Sequence, residues 1–280
     1  MPEPSSQPVS NIDSNTDAVA IEDGIALCVS GGGYRAMIFH LGAFIRLNEI
    51  GLLQKLKRVS SVSGGSIAAA QLGLQWHALQ FNNGVAKNLR ELVIDPVRAL
   101  GERTIDADSI IGGILMPGVS ISDKIAKAYS KHLFGNATLQ DLPTDTEGPR
   151  FVINATNVQS GALVRFSRPF MADWKVGRVL NPRIPLAVAV GASSAFPPVL
   201  SPVVLELADS DFEPATRGEL GQPPYTTELI LSDGGVYDNL GLETAWKRYK
   251  SILVSDGGGQ MQPEPEPKRD WARHAFRINN

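Results

Sequence analysis

Apolar and polar positions follow two different periods along the first third of the chain. Residues 25–29 form a short apolar run, typical of a buried strand, and residues 36–50 place apolar side chains at helical spacing before Gly51. The same pair of patterns returns at residues 59–62 and 66–77. Because strand and helix alternate, the pattern predicts an α/β fold with a largely parallel sheet covered by helices.

Beyond residue 80 the pattern is less regular but still predicts strands and helices. Helices are expected at residues 81–103, interrupted at Pro96, and at residues 122–134 and 185–191. Strands are expected at residues 151–155, 163–166, 203–207 and 229–231, and a buried strand at residues 251–255. These elements extend the α/β pattern through the rest of the chain.

The composition at both ends of the chain differs from that of the middle. Residues 1–23 are rich in Ser, Asn, Asp and Pro and lack the basic start and apolar run of a signal peptide, so we expect a disordered tail. Residues 24–260 are expected to form one folded domain. Residues 261–280 are expected to be a Pro-rich and charged C-terminal segment, in which residues 261–269 alternate Pro with Glu and Lys as in a stiff exposed loop or linker. Because the last residue, Asn280, lies inside a charged stretch, we expect a truncated sequence.

Charge and cysteine content argue against several classes of function. The net charge is −3 and no basic stripe occurs, which argues against nucleic acid as a partner. Cys28 is the only cysteine, so the chain has neither a disulfide framework nor a zinc ligand set, and we expect a reducing, cytoplasmic location. No unbroken apolar stretch reaches the roughly 20 residues of a membrane span, so we expect contact with a membrane only at its surface.

A serine in a turn of small residues is the first candidate for chemistry. Ser61, Ser63 and Gly65 occupy the three marked positions of the G-x-S-x-G turn, which exposes a nucleophilic serine between a strand and a helix. Ser61 stands where that pattern has its first glycine. The other interpretation is a helix cap, in which the Ser63 side chain only binds backbone N–H groups at the start of the helix.

A glycine-rich loop between the first strand and the first helix is suited to binding an anion. Gly31, Gly32 and Gly33 expose backbone N–H groups at a helix N-terminus, and Arg35 follows them. Three interpretations compete: an oxyanion loop, a pyrophosphate site of the G-x-G-x-x-A type that ends at Ala36, and a plain tight turn. The second strand offers serines instead of the acidic residue that nucleotide binding needs, which favours the oxyanion loop.

An aspartate, and not a histidine, is the candidate base for Ser63. The four histidines lie on helices that lead away from the two turns or in charged and polar segments. Asp233 ends an apolar run, residues 229–231, and precedes two glycines. Asp256 occupies an almost identical turn, so either aspartate is a candidate base. Each has the alternative interpretation of a turn aspartate, which is common before glycine.

Four blocks of sequence together resemble the patatin-like phospholipases. The blocks occur in the order of the family and cover roughly residues 25–243. They are Gly31-Gly32-Gly33-Tyr34-Arg35, Ser61-Val62-Ser63-Gly64-Gly65, Ala192-Ser193-Ser194-Ala195-Phe196-Pro197-Pro198 and Asp233-Gly234-Gly235-Val236-Tyr237-Asp238-Asn239. The chain departs from the family pattern at Ser61 and Ala36, where glycine is usual.

The resemblance implies a three-layer α/β/α sandwich with a mostly parallel central sheet in residues 24–260. It implies a lipid acyl hydrolase of the phospholipase A, lysophospholipase or carboxylesterase type, which uses a Ser–Asp dyad and no cofactor or metal. Ser63 would be the nucleophile, and Asp233 would be the base in preference to Asp256, because Asp238-Asn239 continue the family's aspartate block. The oxyanion loop would contain Gly31, Gly32, Gly33 and Arg35. The supporting positions of the two turns would be Ser61, Gly64, Gly65, Gly234 and Gly235.

The implied partner is a lipid or acyl-ester substrate, reached through transient contact with a membrane surface. Two rival functions share the same residues: an acyltransferase or thioesterase with the same dyad, and a non-catalytic binder of a nucleotide or phosphate headgroup at the glycine loop. Residues 110–118 are apolar but broken by glycine and proline. We interpret them either as a mobile flap that touches lipid or as a loop packed under the core.

Overall fold

Nine strands form one mixed sheet over the residues that the structure describes. The structure, a computed structural model, describes residues 21–102, 121–198, 200–246, 248–259 and 263–266. The strands of the chain are β1 (Glu22–Val29), β2 (Leu56–Val62), β3 (Phe81–Asn82), β4 (Val85–Ala86), β5 (Arg150–Asn157), β6 (Ala162–Phe166), β7 (Phe170–Asp173), β8 (Gly177–Leu180), β9 (Val203–Glu206), β10 (Glu228–Asp233) and β11 (Tyr249–Ser255). Of these, β3 and β4 form a separate hairpin.

The order of strands places the ends of β2 and β10 next to each other. β11, β1, β2 and β5 run parallel in that order, and β6, β7 and β8 continue from β5 as an antiparallel meander. β10 pairs antiparallel with the end of β5 and with β9. Because β6 occupies the other edge of β5, β10 lies on the same side of β5 as β2, in line with it. Val62 lies opposite Asn154 and Asp233 opposite Ala155, so the two strands end one β5 residue apart.

Helices and turns cover both faces of the sheet. The helices are α1 (Gly33–Glu49), α2 (Gly64–Leu74), α3 (Asp95–Glu102), α4 (Ile121–Tyr129), α5 (Leu186–Ser193) and α6 (Gly235–Asp238). The main apolar core, which includes Val29 of β1 and Phe44 of α1, lies between the sheet and α1–α5. The alternate β1 side chain Cys28 points to the other face and packs with Ala245 and Tyr249. The predicted α/β sandwich with mostly parallel central strands is confirmed.

Helix α2 is apolar all round because it is buried all round. Every residue of it except Leu74 is buried, and it packs against α1, α5, β2 and β5. It therefore gives the turn that precedes it a rigid support. None of the described helices is both long enough and apolar enough to cross a membrane.

The predicted helix over residues 81–103 is wrong in its first part. The structure has the β3–β4 hairpin there, because Asn83 and Gly84 both take positive φ values, 51° and 81°, at a two-residue Asn-Gly turn. Helical backbone begins at Arg90 with a π-helical turn and continues as α3. Pro96 does not interrupt the helix: it is the second residue of α3, directly after the π-helical turn Arg90–Ile94, and the helical backbone continues through it. The π-helical turn already breaks the regular hydrogen-bond pattern of an α-helix, which accommodates a residue without an N–H at this place.

The other predicted elements within the described residues agree with the structure to within a few residues, with two exceptions. β11 is not a buried strand: among the described strands it pairs only with β1, and Val254 is half exposed. β7 and β8, each four residues long, were not predicted. The expected features at residues 1–20 and 106–120, and most of the segment 261–280, lie outside the described residues.

Candidate active site

Ser63 lies in a strained turn between β2 and α2. Its backbone angles are φ 52° and ψ −123°, a combination that residues with a side chain rarely adopt. The side chain is only 6% exposed, at the carboxyl edge of the parallel strands. A sharp turn between a strand and a helix is the setting in which the G-x-S-x-G pattern exposes its serine, and the Ser63 side chain makes no capping hydrogen bond to α2.

The Ser63 turn and the glycine loop touch through their backbones. A Cβ atom added to Gly64 would overlap the carbonyl oxygen of Gly33, and one added to Gly65 would lie 2.6 Å from the carbonyl oxygen of Ser30. A Cβ atom on Gly31 would lie 3.2 Å from the Cβ of Ser63. Glycine at these positions is therefore what brings the loop against the serine.

A chain of buried hydroxyl groups runs beneath the Ser63 turn. The Ser61 hydroxyl donates to the carbonyl oxygen of Val152 at 3.1 Å and accepts a hydrogen bond from Ser66 at 3.0 Å. Ser66 lies 2.9 Å from the hydroxyl of Ser193, and that hydroxyl accepts the backbone N–H of Ser63 at 2.9 Å. Ser61 thus fits the place of the usual glycine, because its side chain points into this network.

Two of the three glycines of the loop are exposed, whereas the first is buried and has its N–H bound. The N–H of Gly31 donates to the carbonyl oxygen of Asn239 at 3.0 Å. Gly32 and Gly33 are exposed, have φ values of 135° and 62°, and lead into α1, whose first N–H groups have no partner within the helix. Arg35 is exposed on the first turn of α1. The loop has the geometry of an anion-binding turn, with Gly32 and Gly33 as its available glycine donors.

His40 supports the loop from behind. Its Nε2 lies 3.0 Å from the carbonyl oxygen of Ser30, and its Nδ1 lies 2.8 Å from the hydroxyl of Ser255. Since a carbonyl only accepts, Nε2 carries the proton and Nδ1 accepts from Ser255. Burial lowers the pKa of His40, which keeps the ring neutral. The sequence pattern places His40 on a helix that leads away from the turns and gives no sign of its contacts with the residues at the ends of β1 and β11.

Asp233 ends β10 and is only 2% exposed. Its Oδ1 accepts the N–H of Gly235 at 2.7 Å, and its Oδ2 is buried without a hydrogen-bond partner among the described residues. Burial raises the pKa of Asp233 to about 6, while the Gly235 N–H and the nearby Ser63 hydroxyl act in the opposite direction. An oxygen in this state can take up a proton at neutral pH.

The Ser63 hydroxyl lies beside this carboxylate without forming a hydrogen bond of ordinary geometry to it. It is close enough to lower the pKa of Asp233, yet Oδ2 remains unpaired. We therefore regard the two groups as adjacent and not bonded. Hydrogen bonds between catalytic groups are commonly long in free enzymes and shorten when substrate binds.

The second Asp-Gly-Gly turn, residues 256–258, binds Ser30, which precedes the glycine loop. Asp256 is exposed, and its Oδ1 accepts the N–H of Gly258 at 2.9 Å. The N–H of Gly257 donates to the hydroxyl of Ser30 at 2.9 Å. This arrangement suits a turn aspartate.

A polar cleft of about 470 Å³ lies at the opposite end of the sheet. Leu56, Trp76, His77 and Glu147 are among its lining residues, at the amino ends of β2 and β5. β2 separates this cleft from Ser63 along its whole length. We therefore place the candidate active site at the Ser63 turn and not in this cleft.

Comparison with known proteins identifies the family. A sequence model described as patatin-like phospholipase matches residues 27–246, and no curated protein matches the chain. A structure of human GIVD cytosolic phospholipase A2 has a TM-score of 0.50 and 14% identity, covering 84% of this chain and 43% of that one. A second structure of that protein, in complex with the inhibitor methyl gamma-linolenyl fluorophosphonate and terbium chloride, has a TM-score of 0.52 and 18% identity, with 84% and 41% covered.

The chain spans less than half the length of these solved proteins, and at such low identity they show the fold alone. The sequence match carries the family assignment, because it covers most of the chain, from within β1 to beyond the Asp233 turn. The chain belongs to the patatin-like phospholipase family.

Proposed function

We propose that this protein is a serine hydrolase that cleaves fatty acyl esters of lipids through Ser63, Asp233 and an acyl-serine intermediate. Its family and its fold, shared with a phospholipase A2, support a lipid acyl hydrolase in general terms. The observation that carries the specific proposal is the pair of Ser63, in a strained turn, and the buried unpaired oxygen of Asp233 beside it.

In the proposed reaction Asp233 acts as the base. Its Oδ2 takes the proton from Ser63 Oγ, which attacks the ester carbonyl and forms a tetrahedral intermediate. The protonated carboxyl then gives the proton to the leaving alcohol oxygen, and acyl-Ser63 remains. In the second half Asp233 takes a proton from water, whose oxygen attacks the acyl carbon; the bond to Ser63 Oγ then breaks, Oγ receives the proton from Asp233, and the fatty acid is released. His40 cannot replace Asp233 in these steps, because both of its ring nitrogens are engaged behind the loop.

Backbone groups would stabilise the negative charge that forms on the carbonyl oxygen. The N–H groups of Gly32 and Gly33 are the donors that we propose, since that of Gly31 is already bound to Asn239. One such donor typically contributes about 3–4 kcal/mol to the transition state. Because Gly33 touches the backbone of Gly64, these donors keep a fixed position relative to Ser63.

Exposed apolar side chains flank both turns and support a lipid substrate. Tyr34 and Ile38 lie one turn apart on α1 after the glycine loop, and Val236 and Tyr237 follow the Asp233 turn on α6. We propose that they meet acyl chains at a membrane surface, in a cytoplasmic protein. The inhibitor bound to the related human phospholipase A2 is itself a fluorophosphonate with a fatty chain, as its name states.

Labelling and turnover test the proposed function directly. A serine-directed fluorophosphonate is expected to modify the wild-type protein at Ser63, located by peptide mass spectrometry, and to stop hydrolysis of a soluble p-nitrophenyl ester. Release of fatty acid from phospholipid and lysophospholipid vesicles would identify the substrate class. Transfer of the acyl group to an added alcohol in place of water would indicate a transferase. No labelling and no hydrolysis by folded protein would contradict the proposal.

The proposed base predicts an acidic limb in the pH profile. Only the ionised carboxylate accepts the proton, so kcat/KM for a soluble ester should fall about tenfold per pH unit below the Asp233 pKa of about 6 and level off above pH 7. Initial rates between pH 4.5 and 8.5, with circular dichroism to check folding, measure this. A limb centred near pH 4 would mean that Asp233 is not desolvated in the working enzyme, which would count against it as the base.

A further inference from the structure

Ser193, the last residue of α5, touches both candidate catalytic turns. Its hydroxyl oxygen accepts the backbone N–H of Ser63 at 2.9 Å, and its carbonyl oxygen accepts the backbone N–H of Gly234 at 3.2 Å. Two residues later, the carbonyl oxygen of Ala195 accepts the N–H of Asp233 at 2.9 Å. The end of one helix therefore binds the backbone of the nucleophile and the backbone of the base.

We propose that Ser193 is a positioning residue that holds Ser63 and Asp233 in their reactive arrangement. The inference rests on the proposed function and adds a residue for which the sequence offered no role. The Ser63 turn follows β2 and the Asp233 turn follows β10, and these two strands are far apart in the sequence. The hydrogen bonds of Ser193 join them directly.

The direction of the hydroxyl chain explains why the Ser193 side chain cannot simply turn away. Ser61 donates its only hydroxyl proton to Val152, and Ser66 donates its own to Ser61. The contact between Ser66 and Ser193 must therefore use the proton of Ser193. A lone pair of the Ser193 oxygen is then left to accept the N–H of Ser63. The four serines of this network are all buried: Ser61, Ser63, Ser66 and Ser193.

The strained backbone of Ser63 makes this hydrogen bond important for the reaction. A residue at φ 52° and ψ −123° keeps that conformation only where its surroundings impose it. Removing the Ser193 hydroxyl would leave the N–H of Ser63 unpaired and allow the turn to relax. A displacement of about 1 Å between reacting groups can reduce a rate about 100-fold.

Ser193→Ala tests the proposal. We expect kcat for a soluble p-nitrophenyl ester to fall about 10–100-fold with KM little changed, and fluorophosphonate labelling of Ser63 to slow to the same degree. Hydrogen exchange, followed by mass spectrometry, should become faster in the peptide that contains residues 61–66. Ser193→Cys is the second variant, because it fills nearly the same space with a much weaker hydrogen-bond acceptor. It should keep the melting temperature near that of the wild type and still lower kcat.

Ser167→Ala is the matched control. Ser167 is also fully buried and donates to a carbonyl, that of Phe170, but it lies between β6 and β7 away from the site. It should lose some stability and keep kcat. Full activity in Ser193→Cys, or equal losses of kcat in the control and in Ser193→Ala, would overturn the inference. An inactive wild type would overturn the proposed function instead, and unchanged exchange at residues 61–66 in Ser193→Ala would then still refute the positioning role.

Discussion

Ser63→Ala is expected to abolish ester hydrolysis, with kcat/KM lower by at least about 10⁴-fold, because the variant has no oxygen with which to form the acyl intermediate. The backbone contacts of the turn remain, since Ser193 binds the N–H of Ser63 and not its side chain. The measurement is the initial rate on a soluble ester together with fluorophosphonate labelling, which should disappear.

The folded state of this variant has to be checked at the same time. Its melting temperature should stay close to that of the wild type, because the removed hydroxyl makes no capping hydrogen bond. Ser167→Ala serves again as the control that keeps its activity. Labelling of a different serine, with activity retained in Ser63→Ala, would show that the nucleophile lies elsewhere.

Asp233→Asn should lower kcat by about 10³–10⁴-fold while KM stays near its wild-type value. The amide has the shape of the carboxyl group, and its oxygen can still accept the N–H of Gly235. It cannot take up the proton of Ser63. The acidic limb of the pH profile should vanish from the residual activity, which distinguishes loss of the base from a change in shape.

The same substitution should make the fold more stable at pH 8. The pKa of Asp233 is about 6 in the folded protein and about 3.9 in an unfolded chain, so folding favours the protonated form. Ionisation of the buried Asp233 therefore lowers the free energy of unfolding. This loss is absent below pH 3.9, grows as the pH rises towards the folded-state pKa, and is constant at about 3 kcal/mol above it. Asp233→Asn removes this loss, but part of the stability gained is offset because the new amide N–H₂ group is also buried. Urea denaturation should therefore show a gain of about 1–2 kcal/mol at pH 8 that vanishes near pH 4.5.

Asp256→Asn is the matched control for Asp233→Asn. Asp256 has the same Asp-Gly-Gly sequence, but it is exposed and, within the described part of the chain, accepts a hydrogen bond from its own turn. The variant should keep kcat within about threefold and show no stability gain, as is usual for surface substitutions. A larger loss in Asp256→Asn than in Asp233→Asn would reverse the assignment of the base.

The local parts of the site could be predicted from the sequence because their signals are local. The glycines that let the glycine loop touch the Ser63 turn, and the serine between a strand and a helix, are each recognisable from a few adjacent residues. The turns of Asp233 and Asp256 are nearly identical, so the preference for Asp233 came only from the resemblance to the family, through Asp238-Asn239. The position of Asp233 beside Ser63 depends on β10, which runs antiparallel to β5 and ends facing the end of β2. That is a property of strand pairing across the whole sheet.

The hydrogen bonds of Ser193 and His40 could not be predicted for the same reason. Each joins segments that are distant in sequence: Ser63 with Ser193 and, through His40, Ser30 with Ser255. A buried serine at the end of an apolar helix has no sequence signal that separates it from a packing residue. The hairpin at residues 81–86, in contrast, carried a readable Asn-Gly signal that the helical interpretation overlooked.

The contact of Gly64 with Gly33 and of Gly65 with Ser30 has a consequence for how the proposed site of this protein could change in evolution. The Ser63 turn and the glycine loop pack against each other through backbone atoms, so neither can move to suit a different acyl group unless the other moves too. Under the proposed function we therefore expect changes of acyl-chain preference to arise at the exposed apolar residues that flank the site, which we call the rim: Tyr34, Ile38 and Val236. An engineer who wishes to alter chain-length preference should randomise that rim and leave the interlocked backbone unchanged.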